Sequence, residues 1–208
     1  ETAISKAYQP YVCEVISGAG GAESKGSGTL VSGDGLILTC AHVLRGSVFK
    51  VRFNEGSLRG TYDADPVFVN ETMDVALLRV SRLVSRSWIP IRLDRGTSKG
   101  EELVAIGNPV LPDGTSIKGA VSNGIVSSPE TKYFGAPRLV ADITVASGSS
   151  GGPLVSSETG EIVGVVTAVV PAGIDEEGIS SSGFFCIAAP SHLLGKWLGI
   201  GYTLERGS

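Results

Sequence analysis

Charge, helical periodicity and long apolar runs are all scarce in this chain. Charged residues make up 18% of 208 positions and the net charge is −4. No basic stripe interleaved with aromatics appears, which argues against a nucleic-acid partner. The longest apolar stretch, Ile162 to Val170, is too short to cross a bilayer. No signal peptide is visible, and a start at Glu1 is what a trimmed fragment would show. The three cysteines, Cys13, Cys40 and Cys186, are an odd number and lack metal-ligand spacing. Each has apolar, strand-like neighbours, which predicts buried free thiols; a Cys13–Cys186 disulfide is the alternative. No metal site and no cofactor is expected.

What the chain has in quantity is glycine, 29 residues, with short apolar runs recurring between Gly, Pro, Ser and Asp clusters. That pattern predicts an all-β barrel or sandwich, and the length suffices for a substantial core, as one large or two small packed units. Two histidines make the search for a catalytic base short. His42 follows the apolar run Gly35–Ala41, whereas His192 lies among helix-start signals and is expected to be a surface or capping residue.

The segment Ala146-Ser147-Gly148-Ser149-Ser150-Gly151-Gly152-Pro153 suits a nucleophilic hydroxyl. Glycines let the backbone turn tightly and approach another molecule, and successive N–H groups aimed into one space can hold an oxyanion. An ordinary Ser/Gly loop is the plain alternative. A serine hydroxyl needs a base within reach, and His42 is the better of the two histidines. The base needs an acceptor to fix its tautomer, and Asp74, a carboxylate at the mouth of the apolar strand Val75–Val80, is the best candidate. Asp34 is accounted for by a Gly-Asp-Gly hairpin turn. Asp63 and Asp65 fall in a polar connection before Pro66, and Asp94 falls in a loop.

The order His42, Asp74, Ser150 and the motifs around them resemble the chymotrypsin-like serine proteases, and the Deg/HtrA branch in particular. The resemblance runs through Gly26-Ser27-Gly28-Thr29-Leu30-Val31, Asp34 to Thr39, Val104-Ala105-Ile106-Gly107-Asn108-Pro109, Gly124-Ile125-Val126-Ser127, Asp142 eight residues before the serine, and Phe185 to Ser191. It implies two perpendicular six-stranded antiparallel β-barrels with a short C-terminal helix. The first, residues 1–96, includes an N-terminal segment; the second, 97–208, includes the helix. It also implies serine endopeptidase activity on unfolded or extended protein segments, a role in protein quality control, and an organelle or extracytoplasmic compartment. Ser150 would attack, His42 would take its proton and Asp74 would hold the ring. The N–H groups of Gly148 and Ser150 would hold the oxyanion, with that of Ser149 close by.

Departures from the resemblance narrow the expectations. Ser149 stands where digestive relatives have an aspartate, so activation by propeptide cleavage is not expected. Thr144, six before the nucleophile, disfavours a demand for Lys or Arg. The strand carrying Val166, Thr167 and Ala168 should wall the specificity pocket with small, uncharged side chains, which predicts acceptance of aliphatic residues. The same strand should offer a free edge to an extended substrate. Tyr8 and Tyr11 would sit at the centre of a homotrimer, or pack on their own barrel. The 208 residues leave no room for the peptide-binding domain that relatives often carry. A catalytically silent peptide-binding or chaperone-like module on the same shell is the alternative function. An esterase is disfavoured, because the Gly-x-Ser-x-Gly register is not met.

Overall fold

The computed structural model describes residues 3–19, 22–171 and 184–198. A short helix, α1 (Ala3–Tyr8), and a 3-10 turn (Gln9–Tyr11) lead into β1 (Val12–Ala19), β2 (Ala22–Leu30), β3 (Leu36–Thr39), β4 (Val48–Phe53), β5 (Gly60–Asp63), β6 (Asp65–Asn70) and β7 (Val75–Arg79). These strands form one antiparallel sheet in the order β5-β4-β1-β2-β3-β7-β6. Its two edge strands are joined in the chain by Ala64 alone, whose N–H donates to the Phe49 carbonyl at 3.0 Å. The two edge strands thus adjoin at a covalent corner of a seven-stranded half-barrel sheet, with no ladder between β5 and β6.

The second unit comprises β8 (Glu102–Gly107), β9 (Ala120–Tyr133), β10 (Ala136–Asp142), β11 (Pro153–Ser156), β12 (Ile162–Pro171) and β13 (Phe184–Pro190), which close into a barrel in the order β10-β13-β12-β11-β8-β9. A 3-10 turn (Ser191–Leu193) and α2 (Leu194–Leu198) follow. The all-β, chymotrypsin-like architecture is thus present. The β1–β2 ladder runs out to Ala19 opposite Ala22, through a Gly, Ala and Ser stretch whose composition reads as a flexible connection. Its Gly, Ser and Lys residues carry no alternating apolar pattern; backbone pairing holds it, with the buried Ser17 hydroxyl donating to the Val43 carbonyl at 2.6 Å. β5 was likewise silent, because its residues alternate between exposed and half-buried with nothing fully inside. A glycine at 199 reads in the sequence as the end of this helix, and it lies outside the described residues.

Strands with one clear interior face build the core. All four residues of β3 are buried, as are Val75 to Leu78 of β7, and each such aliphatic side chain contributes about 2 kcal/mol of transfer free energy. The larger core cluster does not stop at the first unit: Val104, Ile106, Val155, Ile162, Val165 and Ala189 of the second belong to it. Tyr8 and Tyr11 pack against this same cluster. A smaller cluster around Leu103, Leu139, Leu154 and Val163 fills the second barrel.

Charged groups also tie the units together. Arg92, 3% exposed, meets Glu101 at 2.8 Å and Glu161 at 3.2 Å. Glu14 on β1 is 1% exposed and pairs with Lys118 of the second unit at 2.7 Å and with Arg52 at 3.3 Å. Burial pushes the Glu14 carboxyl up, but the hydrogen bond and charge of Lys118, with the charge of Arg52, outweigh this and hold it below its ordinary value. A carboxylate depressed in the fold adds stability above its unfolded pKa of about 4.3, and that stability is lost as pH falls further. Lys118→Met should therefore lower stability in urea melts at pH 7 by about 2 kcal/mol, with the deficit shrinking below about pH 4.

Candidate active site

The buried strand β3 ends at Thr39, Cys40 continues it in extended conformation, and a 3-10 turn then lifts His42 out between buried Ala41 and Val43. The imidazole is 42% exposed and Asp74 is 20% exposed. Asp74 ends a turn before β7 and adopts φ +55°, a left-handed conformation that aspartate tolerates better than most residues. Its carboxylate grips His42 twice: Oδ2 lies 2.7 Å from Nδ1, and Oδ1 accepts the His42 backbone N–H at 2.9 Å. The two-point contact fixes the ring plane and leaves Nε2 as the ring nitrogen that Asp74 does not touch.

The serine segment is a pair of turns. The Ser149 N–H donates to the Ala146 carbonyl at 2.9 Å, and the third residue of that turn, Gly148, has φ +90°, as a type II turn requires. The Ser147 carbonyl accepts the Val110 N–H at 2.7 Å, and a planar trans peptide then directs the Gly148 N–H to the opposite side. In the second turn the Gly152 N–H donates to the Ser149 carbonyl at 2.9 Å, which turns the Ser150 N–H the other way. Gly148 and Ser150 keep N–H groups with no acceptor among the described residues, whereas that of Ser149 is engaged with Ala146 and does not join them.

Several contacts bring the histidine and serine segments together. The Val166 carbonyl on β12 accepts both the Gly151 N–H at 2.8 Å and the Cys40 thiol at 2.9 Å. One acceptor thus holds the residue after the serine and the residue two before the histidine. Ser27 on β2 binds the turn from the other side. Its N–H donates to the Ser150 carbonyl at 2.7 Å, and its hydroxyl donates to the Gly148 carbonyl at 2.7 Å while accepting the Asn108 N–H at 2.9 Å. Gly151 has φ +88°, and a Cβ there would lie 2.0 Å from the Ser27 carbonyl; only glycine fits. Among the described residues no hydrogen bond links the Ser150 hydroxyl to His42, and such bonds often tighten only when substrate is bound.

A cavity of about 150 Å³ beside the serine turn is lined by Ile106, Gly107, Val121, Thr144, Val145, Ala146, Ser149 and Val166. Thr144 and Val166 of the expected pocket residues line it. Thr167 instead donates its hydroxyl to the Ile187 carbonyl at 3.0 Å, and Ala168 is half-buried on β12 away from this lining. β11 pairs with β12 as far as Val165 and Val166 exchanges hydrogen bonds with Gly151 and Gly152, so the side of the strand facing the serine turn is open only past Val166.

The remaining candidates fall elsewhere. His192 sits beside Gly96 in the segment between the sheets. Asp34 holds its turn by pairing with Arg79 and Ser32. Asp63 and Asp65 stand in strands on either side of the Ala64 corner and not in a loop, and Asp94 meets Arg95 at 3.3 Å. All three cysteines are buried free thiols. Burial pushes Cys186 up to about 12. Ligand atoms of Cys40, His42 and Asp74 lie within 4.8 Å of one another, yet burial and the Asp74 charge raise the Cys40 thiol well above its ordinary value, opposing the thiolate that a metal needs. Sequence reasoning missed Ser27 and Arg138; the signal for the latter was a lone charge inside the apolar run of β10.

An all-β pair of sheets with a histidine–carboxylate pair beside a glycine-rich serine turn defines the chymotrypsin-like class of fold. A trypsin-like peptidase domain matches residues 26–165. Serine protease HTRA1 of Xenopus laevis is 39% identical over 163 residues, covering 73% of this chain and 33% of that protein. The mitochondrial serine protease HTRA2 of Bos taurus is 36% identical over 160 residues, again 73% of this chain and 33% of that one. The crystal structure of the serine endoprotease from Yersinia pestis superposes with a TM-score of 0.69 at 27% identity, covering 94% of this chain and 65% of that chain. The chain belongs to the trypsin-like peptidase family, on its HtrA branch. It spans about a third of the length of the HTRA relatives it matches.

Proposed function

We propose that this chain is a serine endopeptidase domain in which Ser150 attacks the scissile carbonyl, His42 accepts its proton and Asp74 holds and offsets the resulting imidazolium. The observation that carries this reading is the double contact of Asp74 with His42, at 2.7 and 2.9 Å, next to a serine turn that keeps two N–H groups free. Those of Gly148 and Ser150 would receive the oxyanion. His42 then returns the proton to the leaving amine, and water hydrolyses the acyl-enzyme by the reverse path. Labelling with a fluorophosphonate probe, followed by identification of the modified residue, tests the assignment. Modification at Ser150 supports an enzyme; an unlabelled chain that still binds unfolded protein supports the silent peptide-binding reading.

The open side of β12 beyond Val166 favours an extended substrate that pairs through its backbone, as unfolded segments do. The small cavity lined by Thr144, Val145, Ala146 and Val166 carries no charged side chain and favours Val, Ala, Ile or Leu before the cut. Cleavage mapping on casein should show these residues over Lys, Arg and Phe by about 10-fold or more in kcat/KM, the range that one apolar pocket supplies. A dominant cut after Lys or Arg would overturn the specificity. A homotrimer through the N-terminal segment rests on the resemblance alone, since Tyr8 and Tyr11 already find partners on their own core.

A further inference from the structure

Arg138 is a buried charge that the proposed mechanism leaves idle. It sits on β10, opposite Thr131 of β9, with 7% of its surface exposed. A guanidinium is costly to bury unless its donors are satisfied, and an apolar side chain would suit the neighbouring Leu139 and Ala141 better. Its donors cross from the second barrel to the first: Nη1 donates to the Met73 carbonyl at 2.8 Å and Nη2 to the Thr72 carbonyl at 3.5 Å. These carbonyls belong to the turn that ends in Asp74. Fixing the Met73 carbonyl fixes the plane of the Met73–Asp74 peptide, and with it the direction in which Asp74 leaves the turn at φ +55°. The turn's own support is thinner, an Asp74 N–H to Glu71 carbonyl contact of 3.3 Å and a Met73 N–H to Asn70 Oδ1 contact of 3.0 Å.

We infer that Arg138 is a positioning residue that clamps the Asp74 turn to the barrel carrying Ser150, so that the His42–Asp74 pair and the nucleophile keep one register. Burial lowers the basicity of its guanidinium, and the charge of Asp74 counters this, which agrees with Asp74 lying in electrostatic reach. The inference rests on the proposed roles of His42 and Asp74. It adds that these roles depend on a residue from the other barrel that touches neither substrate nor the reacting atoms.

The test uses the whole chain as Arg138→Met, Arg138→Lys, Asp74→Asn and Arg138→Met/Asp74→Asn. Arg138→Met should lower kcat by about 10- to 100-fold with KM nearly unchanged, as expected of a misaligned catalytic group, and Arg138→Lys should recover part of the loss. In the Asp74→Asn background the arginine change should cost no further kcat, because its effect runs through Asp74. A second readout needs no turnover: the downfield proton resonance of a short, charge-assisted His42 Nδ1–H bond, recorded in a His192→Gln background. It should be present in Ser150→Ala and lost or broadened in folded Arg138→Met. Full kcat with an intact resonance in Arg138→Met, or an equal loss of kcat in the Asp74→Asn background, overturns the inference. If the wild-type chain neither labels nor hydrolyses, the enzymatic reading fails and the resonance alone decides on Arg138. If Arg138→Met does not fold, Arg138→Lys carries both readouts.

Discussion

Ser150→Ala is expected to lower the rate of peptide hydrolysis by about four to six orders of magnitude, the loss typical when a catalytic serine is removed. The size follows from what the hydroxyl does: without it no acyl-enzyme forms, and only oxyanion stabilisation and substrate binding remain. The fold should tolerate the change. The Ser150 backbone, not its side chain, is what the first barrel holds, through the 2.7 Å bond from the Ser27 N–H, and the Ser150 hydroxyl makes no hydrogen bond among the described residues. Melting temperature should therefore stay close to wild type while kcat collapses and fluorophosphonate labelling disappears. The two measurements together separate catalysis from folding. An alanine variant that hydrolyses casein at the wild-type rate ends the proposal.

The parts of the molecule that were legible in its sequence are those where side chains announce their surroundings. β3 and β7 are uninterrupted apolar runs, and both are buried on every residue that the runs contain up to Leu78. The Gly-Asp-Gly turn at Asp34 was equally plain. β5 and the outer part of the β1–β2 ladder were not, because there the backbone pairs without an apolar face and leaves no period to read. Asp63 and Asp65 looked like loop residues for the same reason: the corner at Ala64 is made by a change of strand partner, which is tertiary information.

The candidate site divides along the same line. His42, Asp74 and Ser150 stand out as candidates because each is a chemically demanding residue in a local setting that does not need it. The contacts that bring their segments together could not be named, since each has a backbone group on at least one side. The Val166 carbonyl gathers Cys40 and Gly151, and Ser27 fastens both ends of the serine turn; no rule of residue type predicts either. The expected oxyanion trio shows the limit sharply. The resemblance implied Gly148 and Ser150 with Ser149 close by, but the type II turn commits the Ser149 N–H to Ala146, and only peptide orientation separates it from its two neighbours.

Asp74→Asn carries the second large expected effect, a fall of about 10⁴-fold in kcat near neutral pH. The carboxylate now accepts twice, from the His42 backbone N–H and from Nδ1–H. An asparagine amide has one accepting oxygen and one donating nitrogen. If the oxygen stays on the backbone N–H, the NH₂ group faces Nδ1 and stabilises the tautomer whose proton sits on Nε2, the nitrogen that must accept from Ser150. If the amide flips, the backbone N–H loses its acceptor and the turn at φ +55° loses one of its holds. The first arrangement disables the base and the second loosens the turn and replaces the carboxylate charge with a neutral amide, while side-chain volume is unchanged, so stability should fall much less than activity. The measurement is kcat and melting temperature on one preparation, with Asp34→Asn as the companion. That carboxylate serves only its hairpin and Arg79, and its loss should leave kcat within about twofold of wild type, as for a surface change remote from the chemistry. Comparable losses in the two variants would mean that Asp74 is a turn residue like Asp34, and the assignment of the acid would have to be abandoned.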